Sequence, residues 1–259
     1  MTLAPFGRRL APLVENRRVG AYTLLVAEDP GGPPDPRPGQ FYMLATEEGW
    51  GAGEGERPHL PRAFSFARAR EGRLWFLLED IGPGTHRLAE MGEGENLWLT
   101  GPLGIGFEEP AGRPLLVGGG IGTAPLLCLQ DELGPDAKVL LGFRSADHAE
   151  AATLFAGESQ IATDDGSVGK HALVTELLRE ELQPGDVVYS CGPPAMLEAV
   201  RALAEEHDIP AQLALESGMA CGFGACFGCV VPTRNGYIRL CVDGPVVEAA
   251  DLVPGGVGH

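Results

Sequence analysis

At 259 residues the chain is long enough for two compact domains or three small modules, and 44% hydrophobic content marks it as globular rather than disordered. A formal charge of −17 argues against a nucleic-acid partner, which requires a basic surface; it fits solubility or a complementary protein surface. No run of about eighteen apolar residues occurs and the N-terminal stretch lacks an apolar signal core, so no membrane partner and a cytoplasmic location are expected.

The first part reads as β. Residues 17–29 (RRVGAYTLLVAED) and 39–48 (GQFYMLATEE) predict strands, rich in Val, Leu, Tyr and Phe and ending in turn or polar residues. A loop rich in Gly, Pro and Glu follows at 49–62. Residues 63–70 (AFSFARAR) and 72–82 (GRLWFLLEDIG) flank a short hairpin signal, Glu71-Gly72. Residues 85–91 (THRLAEM) predict one short helix and 96–104 (NLWLTGPLG) a closing strand. Short strands with frequent turns and one small helix predict an antiparallel barrel over 1–108.

Over 109–208 the pattern changes to strands alternating with helices. Residues 113–133 hold an apolar run, a glycine cluster and a helical segment, and 137–145 and 159–165 predict strands. Residues 171–183 are amphipathic at helical spacing, with Leu173, Leu177, Leu178 and Leu182 on one side. Residues 186–208 repeat strand, turn and helix, with Met196, Val200 and Leu203 on the buried face. This alternation predicts parallel βαβ units with a nucleotide-sized crevice at the C-terminal ends of the strands. From 209 to 259 little regular structure is expected.

That last segment carries four of the six cysteines, spaced C-x4-C-x2-C-x11-C at Cys221, Cys226, Cys229 and Cys241. In a reducing compartment such thiols are metal ligands, catalytic groups or core residues rather than disulfides. Zinc frameworks favour paired C-x2-C knuckles. A single C-x2-C with a four-residue gap before it and a distant fourth cysteine is the plant-type [2Fe-2S] spacing. Gly222, Gly224 and Gly228 suit a loop that curls over bridging sulfides with its N–H groups inward. A zinc knuckle or a cluster of free thiols is the alternative. Cys128 falls in an apolar helix and reads as core; Cys191 falls at a strand end facing the crevice.

In LLVGGGIGTAPLL, Gly118, Gly119, Gly120 and Gly122 would let a pyrophosphate approach the backbone and a helix N-terminus, although the strict Rossmann fingerprint is not met. A tight turn and nothing more is the alternative. On the strand RAFS, Arg62 suits a pyrophosphate and Phe64 can pack on a flavin, with Ser65 alongside; ordinary strand residues would look the same. Gly84 and Thr85 begin a helix and suit phosphate oxygens. No acid–base pair or nucleophile triad appears, so no catalytic residue is expected.

The order of these pieces resembles the ferredoxin–NADP reductase superfamily: R-x-F-S, the G-T helix start, GPLG, GGGIGTAPL, CGPPAML, then a C-terminal cysteine loop. Within it, ATDDGSVG, YSCGPPAML and ESGMACGFGACFGCVV…LCVDGPVV are similar to the iron–sulfur, flavin-containing electron-transfer subunits of dihydroorotate dehydrogenase B. The resemblance covers nearly the whole chain. It implies a β-barrel plus α/β architecture: an FAD-binding barrel, a Rossmann-like NAD-binding domain and a [2Fe-2S] segment. It further implies that Arg62, Ala63, Phe64 and Ser65 hold FAD, with Leu77, Leu78 and Glu79 on the neighbouring strand and Gly84 and Thr85 at its phosphates. Gly119, Gly120, Gly122, Cys191, Gly192 and Pro193 would face NAD, and Cys221, Cys226, Cys229 and Cys241 would hold the cluster.

The implied partner is an FMN-containing catalytic subunit that oxidises dihydroorotate to orotate in pyrimidine biosynthesis, in a heterotetramer of two copies of each chain. Electrons would pass through [2Fe-2S] and FAD to NAD+. Two positions depart from the pattern: Ala63 stands where proline is usual, and Gly218 where arginine is common. Two alternatives stand beside this one. The first is a flavin/iron–sulfur NAD(P)H reductase subunit serving a hydrogenase or a ferredoxin-linked transhydrogenase. The second is a zinc-stabilised binding module without redox activity.

Overall fold

A computed structural model of the protein describes residues 7–51, 58–109 and 111–257, so the middle of the glycine-rich loop singled out above (52–57) lies outside the described residues. The N-terminal region forms a seven-stranded antiparallel sheet from β1 (Arg9–Val19), β2 (Tyr22–Glu28), β3 (Phe41–Thr46), β4 (Arg62–Ser65), β5 (Arg68–Arg70), β6 (Arg73–Glu79) and β7 (Asn96–Leu103), in the order β4-β3-β7-β1-β2-β6-β5. The two outermost strands, β4 and β5, are separated in sequence only by Phe66 and Ala67. That short link brings the ends of the sheet together and rolls it into a barrel. Tyr42, Phe66, Phe76 and Leu78 fill its interior.

Three expectations change here. The predicted strand 17–29 is not one strand but spans the turn of a hairpin: β1 and β2 meet at Gly20-Ala21, with Val19 opposite Tyr22. Residues 9–16, with no clean alternation, also pair, both with β2 and with β7. The predicted strand 63–70 breaks at Phe66-Ala67 because its halves join opposite ends of the sheet. The Glu71-Gly72 turn is as expected, with φ of 52° and 72° at the two positions, the left-handed geometry a two-residue hairpin needs. A short helix, α1 (Pro83–Ala89), follows the barrel's sixth strand.

The second sheet is parallel at its centre. Its strands are β8 (Arg113–Gly119), β9 (Lys138–Phe143), β10 (Ser159–Thr163), β11 (Lys170–His171), β12 (Asp186–Cys191), β13 (Ala211–Ala214) and β16 (Val246–Glu248). They lie in the order β11-β10-β9-β8-β12-β13-β16, with β16 antiparallel at the edge. Helices α2 (Ala124–Leu133), α4 (Val174–Glu181) and α5 (Pro194–His207) cover its faces, and α3 (Ala146–Ala149) is a single turn. Val200 and Leu203 are buried as expected and Met196 is half-buried; Leu177 and Leu178 are buried too, but Leu173 is exposed.

The C-terminal segment is more regular than expected. Besides β13 and β16 it contains a hairpin of β14 (Val230–Thr233) and β15 (Gly236–Arg239) and a turn of helix, α6 (Leu240–Asp243). Arg234-Asn235 makes the hairpin turn before Gly236. One continuous apolar core joins Phe41, Met43 and Leu103 of the barrel, Leu197 and Leu213 of the α/β layer, and Cys229, Leu240 and Cys241 of this segment. A second core joins Tyr22, Leu24 and Leu77 to Leu126, Leu127 and Tyr189 across the barrel–sheet seam. Arg68 tightens that seam, with Nε 2.7 Å from Asp131 Oδ2 and Nη2 donating to the Leu154 carbonyl.

Candidate functional site

The chain runs out from β8 to β9, β10 and β11 on one side and then crosses to β12 on the other. That reversal opens a crevice beyond the carboxyl ends of β8 and β12, where open α/β sheets take their ligands. A cavity of about 580 Å³ lies there, with Gly119, Gly120, Gly122, Gly192 and Pro193 in its wall. The glycines serve different ends. Gly120 has φ +54°, with only the Tyr22 hydroxyl near a would-be Cβ. A Cβ on Gly122 would lie 2.6 Å from the Cys191 carbonyl carbon, so this glycine lets a 3₁₀ turn (Gly120–Thr123) press against β12. Cys191 itself is buried beneath the wall, and burial pushes its thiol pKa well above the ordinary value.

A smaller cavity of about 240 Å³ lies between barrel and sheet. Ala63, Phe64, Ser65, Leu77, Glu79 and Thr85 line it from the barrel. Arg62 does not reach its wall; its guanidinium lies against Gly84, where a Cβ would meet Nε at 2.9 Å, and its Nη1 donates to the Leu60 carbonyl. The Thr85 hydroxyl accepts from the Gly82 and Ile81 N–H groups, so it caps α1. Strand alternation turns Leu78 into the barrel core, leaving only its main chain toward this side.

Four residues line both cavities: Glu79, Ile81, Ile121 and Glu216. Glu216, Tyr22 and Met196 were not foreseen as site residues. Glu216 is solvent-accessible within the groove, yet the protein around it raises its carboxyl pKa above the usual range by desolvation. Nothing in its local sequence signals this role beyond its position five residues before Cys221.

The cysteine loop leaves Glu216 and folds over the barrel: a Cβ on Gly222 would strike Met43 Cγ at 2.8 Å. Gly222 and Gly224 take positive φ, as expected, but Gly228 does not; the third left-handed position is Phe227, at φ 57°. Cys229 and Cys241 are buried, while Cys226 is exposed. The Cys241 N–H approaches the Cys229 sulfur at 3.5 Å, and the Cys221 thiol lies near that of Cys226. Among the described residues no three Cys, His, Asp or Glu side chains are grouped to hold one metal ion. The spacing of the four cysteines suits a [2Fe-2S] cluster better than the paired knuckles of a zinc site.

The loop's N–H groups also suit an anionic cluster. Burial opposes ionisation of Cys221, but the N–H groups of Phe223, Cys226 and Ala225 bring its pKa down to about 6. Burial, then Cys229, pushes Cys241 up to about 12, although the Gly224 N–H donates to its sulfur at 3.1 Å. Gly218 is exposed with no atom within 4 Å of a would-be Cβ, so an arginine has room there; Ala63 lines the smaller cavity.

A barrel, a switch-point crevice beside it and a cysteine loop define a ferredoxin–NADP reductase-type flavoprotein with a [2Fe-2S] segment. Solved structures agree on the fold. A chain of an NADH-dependent reduced ferredoxin-NADP oxidoreductase matches with TM-score 0.80 and 25% identity over 97% of this chain and 92% of its own. Phthalate dioxygenase reductase matches with TM-score 0.62 and 16% identity over 91% of this chain and 94% of its own. Residues 216–253 match the family described as the iron-sulfur cluster binding domain of dihydroorotate dehydrogenase B.

Curated relatives fix the family. The dihydroorotate dehydrogenase B (NAD(+)) electron transfer subunit of Caldanaerobacter subterraneus subsp. tengcongensis is 35% identical, over 94% of this chain and 97% of the relative. That of Geobacillus sp. (strain WCH70) is 40% identical, over 83% and 86%. The chain belongs to the family of dihydroorotate dehydrogenase B electron transfer subunits.

Proposed function

We propose that this chain is the electron-transfer subunit of a dihydroorotate dehydrogenase B, receiving electrons from an FMN-containing catalytic subunit and delivering them to NAD+. The observation that carries this reading is the stacking of three sites: an exposed cysteine loop, a cavity between barrel and sheet, and a crevice sharing four wall residues with that cavity. When bound, the [2Fe-2S] cluster supplies single-electron transfer and FAD the conversion to the hydride that NAD+ accepts.

The chain's own residues orient and shield. Ala63, Phe64, Ser65, Leu77 and Glu79 wall the flavin, with the Leu78 main chain behind them and Arg62, Gly84 and Thr85 toward its phosphates. Gly119, Gly120, Gly122, Gly192 and Pro193 form the dinucleotide wall, with Cys191 buried beneath it. Cys221, Cys226, Cys229 and Cys241 would hold the cluster. The division into 1–108, 109–208 and 209–259 is a division by cofactor, since β13 and β16 complete the second sheet. A heterotetramer of two copies of each subunit and a cytoplasmic location complete the reading; no helix among the described residues is long and apolar enough to cross a membrane.

The likeness to the ferredoxin-linked oxidoreductase favours one second reading, a reductase subunit serving another donor. The shared chemistry is tested by purifying the chain without air. FAD, iron and acid-labile sulfide should be present, the last two in equal amounts. Zinc in place of iron overturns both readings.

A further inference from the structure

Two cations fall between Glu216 and Asp243. Arg234 is tied to Glu205 on α5, at 3.1 Å. Arg239 turns to the cysteine loop instead. It ends β15, where it pairs with Val230, and leads straight into the turn of helix that bears Cys241. From there its Nη1 donates to the Gly224 carbonyl at 3.2 Å, and its guanidinium lies 5.4 Å from the centre of the Phe227 ring. Asp243 holds it from behind: Oδ2 accepts from the Arg239 N–H at 3.0 Å and lies 3.5 Å from Nε.

Two peptides meet at Gly224, and both serve cysteines. The peptide before it supplies the Gly224 N–H, which donates to the Cys241 sulfur at 3.1 Å. The peptide after it contains the carbonyl that Arg239 engages, and its N–H, that of Ala225, is directed at the Cys221 sulfur. A cation on a peptide oxygen polarises that peptide and strengthens the donor at its other end. Gly224 has no slack: its φ is +84°, and a Cβ would meet Val242 Cγ2 at 2.7 Å and Arg239 Nη1 at 3.1 Å. One guanidinium thus fixes a residue whose flanking amides reach the first and the last of the four cysteines.

We infer that Arg239 is a positioning residue that raises the reduction potential of the iron–sulfur cluster, by polarising the Gly224–Ala225 peptide and by fixing a positive charge against the cysteine loop. This rests on reading the four cysteines as [2Fe-2S] ligands. Reduction adds one negative charge to an already anionic group, so a fixed cation and amide donors to sulfur favour the reduced form. Asp243 works against Arg239 in charge while it holds it in place, because its carboxylate offsets part of the guanidinium's field.

The test is a redox titration of the chain carrying FAD and cluster, purified without air. The cluster is followed by the paramagnetic resonance of its reduced form and the flavin by its absorption. Arg239→Gln should lower the reduced-to-oxidised ratio of the cluster about fivefold at the wild-type midpoint, a shift of about 40 mV to more negative potential at 59 mV per tenfold for one electron. Arg239→Lys, which keeps the charge, should stay within twofold of the wild type. Asp243→Asn keeps an acceptor for the Arg239 N–H but removes the opposing charge, and should move the ratio the other way. The flavin midpoint should stay in place in all three, which a general loosening of the fold would not give. The inference is overturned by a ratio unmoved within twofold in Arg239→Gln, by Arg239→Lys behaving as Arg239→Gln does, by an absent or negative shift in Asp243→Asn, or by a flavin midpoint that moves with the cluster's. Should Arg239→Gln take up no cluster, the sign of the Asp243→Asn shift decides alone. A wild type without iron and acid-labile sulfide overturns the cluster reading instead.

Discussion

Gly122 and Cys191 are in near-contact beneath the crevice wall: a Cβ on Gly122 would lie 2.6 Å from both the carbonyl carbon and the carbonyl oxygen of Cys191. Neither a side chain nor a rotamer can relieve that clash, because both partners are main chain. Gly122→Ala should therefore force the 3₁₀ turn away from β12. We expect a loss of about 1–3 kcal/mol in stability and weakened dinucleotide binding with flavin retained. Denaturant unfolding and NADH titration of the flavin-loaded variant check this; an unchanged Kd for NADH would show that the turn's seat does not shape the crevice.

Cys226 lies on the exposed side of the cysteine loop, whereas the flavin cavity is walled by β3, β4 and β6 with Met219. Cys226→Ser should remove the iron–sulfur absorption while flavin absorption persists. Loss of both bands together would mean that the loop and the flavin cavity do not fold separably. Gly222→Ala, with φ +77° and Met43 against it, should likewise reduce iron content in every purification.

Glu216 lies at the junction of the two cavities, and the nicotinamide ring carries a positive charge only when oxidised. Its carboxylate should favour NAD+ over NADH. Glu216→Gln is expected to weaken NAD+ binding roughly two- to fivefold, the range for a partly solvated charge pair, and to leave NADH binding less affected. Parallel titrations with the two nucleotides check this, and an equal loss for both would assign Glu216 a purely steric role.

The base of the second sheet carries an acid-sensitive pair. Burial opposes ionisation of Asp186, but Arg113, at 2.7 and 3.0 Å, and the Gln183 N–H outweigh it and hold its pKa below the ordinary aspartate value. A carboxylate with a depressed folded pKa stabilises the fold above its unfolded pKa, near 4, and that stability fades as the pH falls through the folded pKa. Asp186→Asn should cost roughly 1–2 kcal/mol at neutral pH, discounted because Arg113 is partly exposed. The difference from the wild type should shrink below about pH 4. Unfolding free energies across pH 3–7 measure it.

The barrel, the alternating layer and the iron–sulfur segment were legible because each leaves a local mark: turn residues, periodicity, spacing. Two kinds of feature were not. Residues 9–16 form a strand through partners distant in sequence, and Arg9 and Pro12 hide any alternation. The hairpin of β14 and β15 escapes the sequence because its strands are four residues each, too short for a clear alternation, and its turn falls on Arg234-Asn235 rather than on the stronger Asn235-Gly236 signal. At the site, Tyr22 and Glu216 line a cavity where the barrel meets the second sheet, which no local pattern encodes. Phe227 shows the limit from the other side, since a bulky residue at positive φ contradicts propensity and only the wrapped loop explains it.

The most direct test of the account is to co-express the chain with an FMN-containing dihydroorotate dehydrogenase subunit and follow NADH formation from dihydroorotate and NAD+. The account predicts a stable complex whose NADH formation is lost when Cys226→Ser replaces the wild-type chain, while oxidation of added NADH by ferricyanide continues. Absence of a complex, or dihydroorotate-driven NADH formation that survives the loss of the cluster, would contradict it.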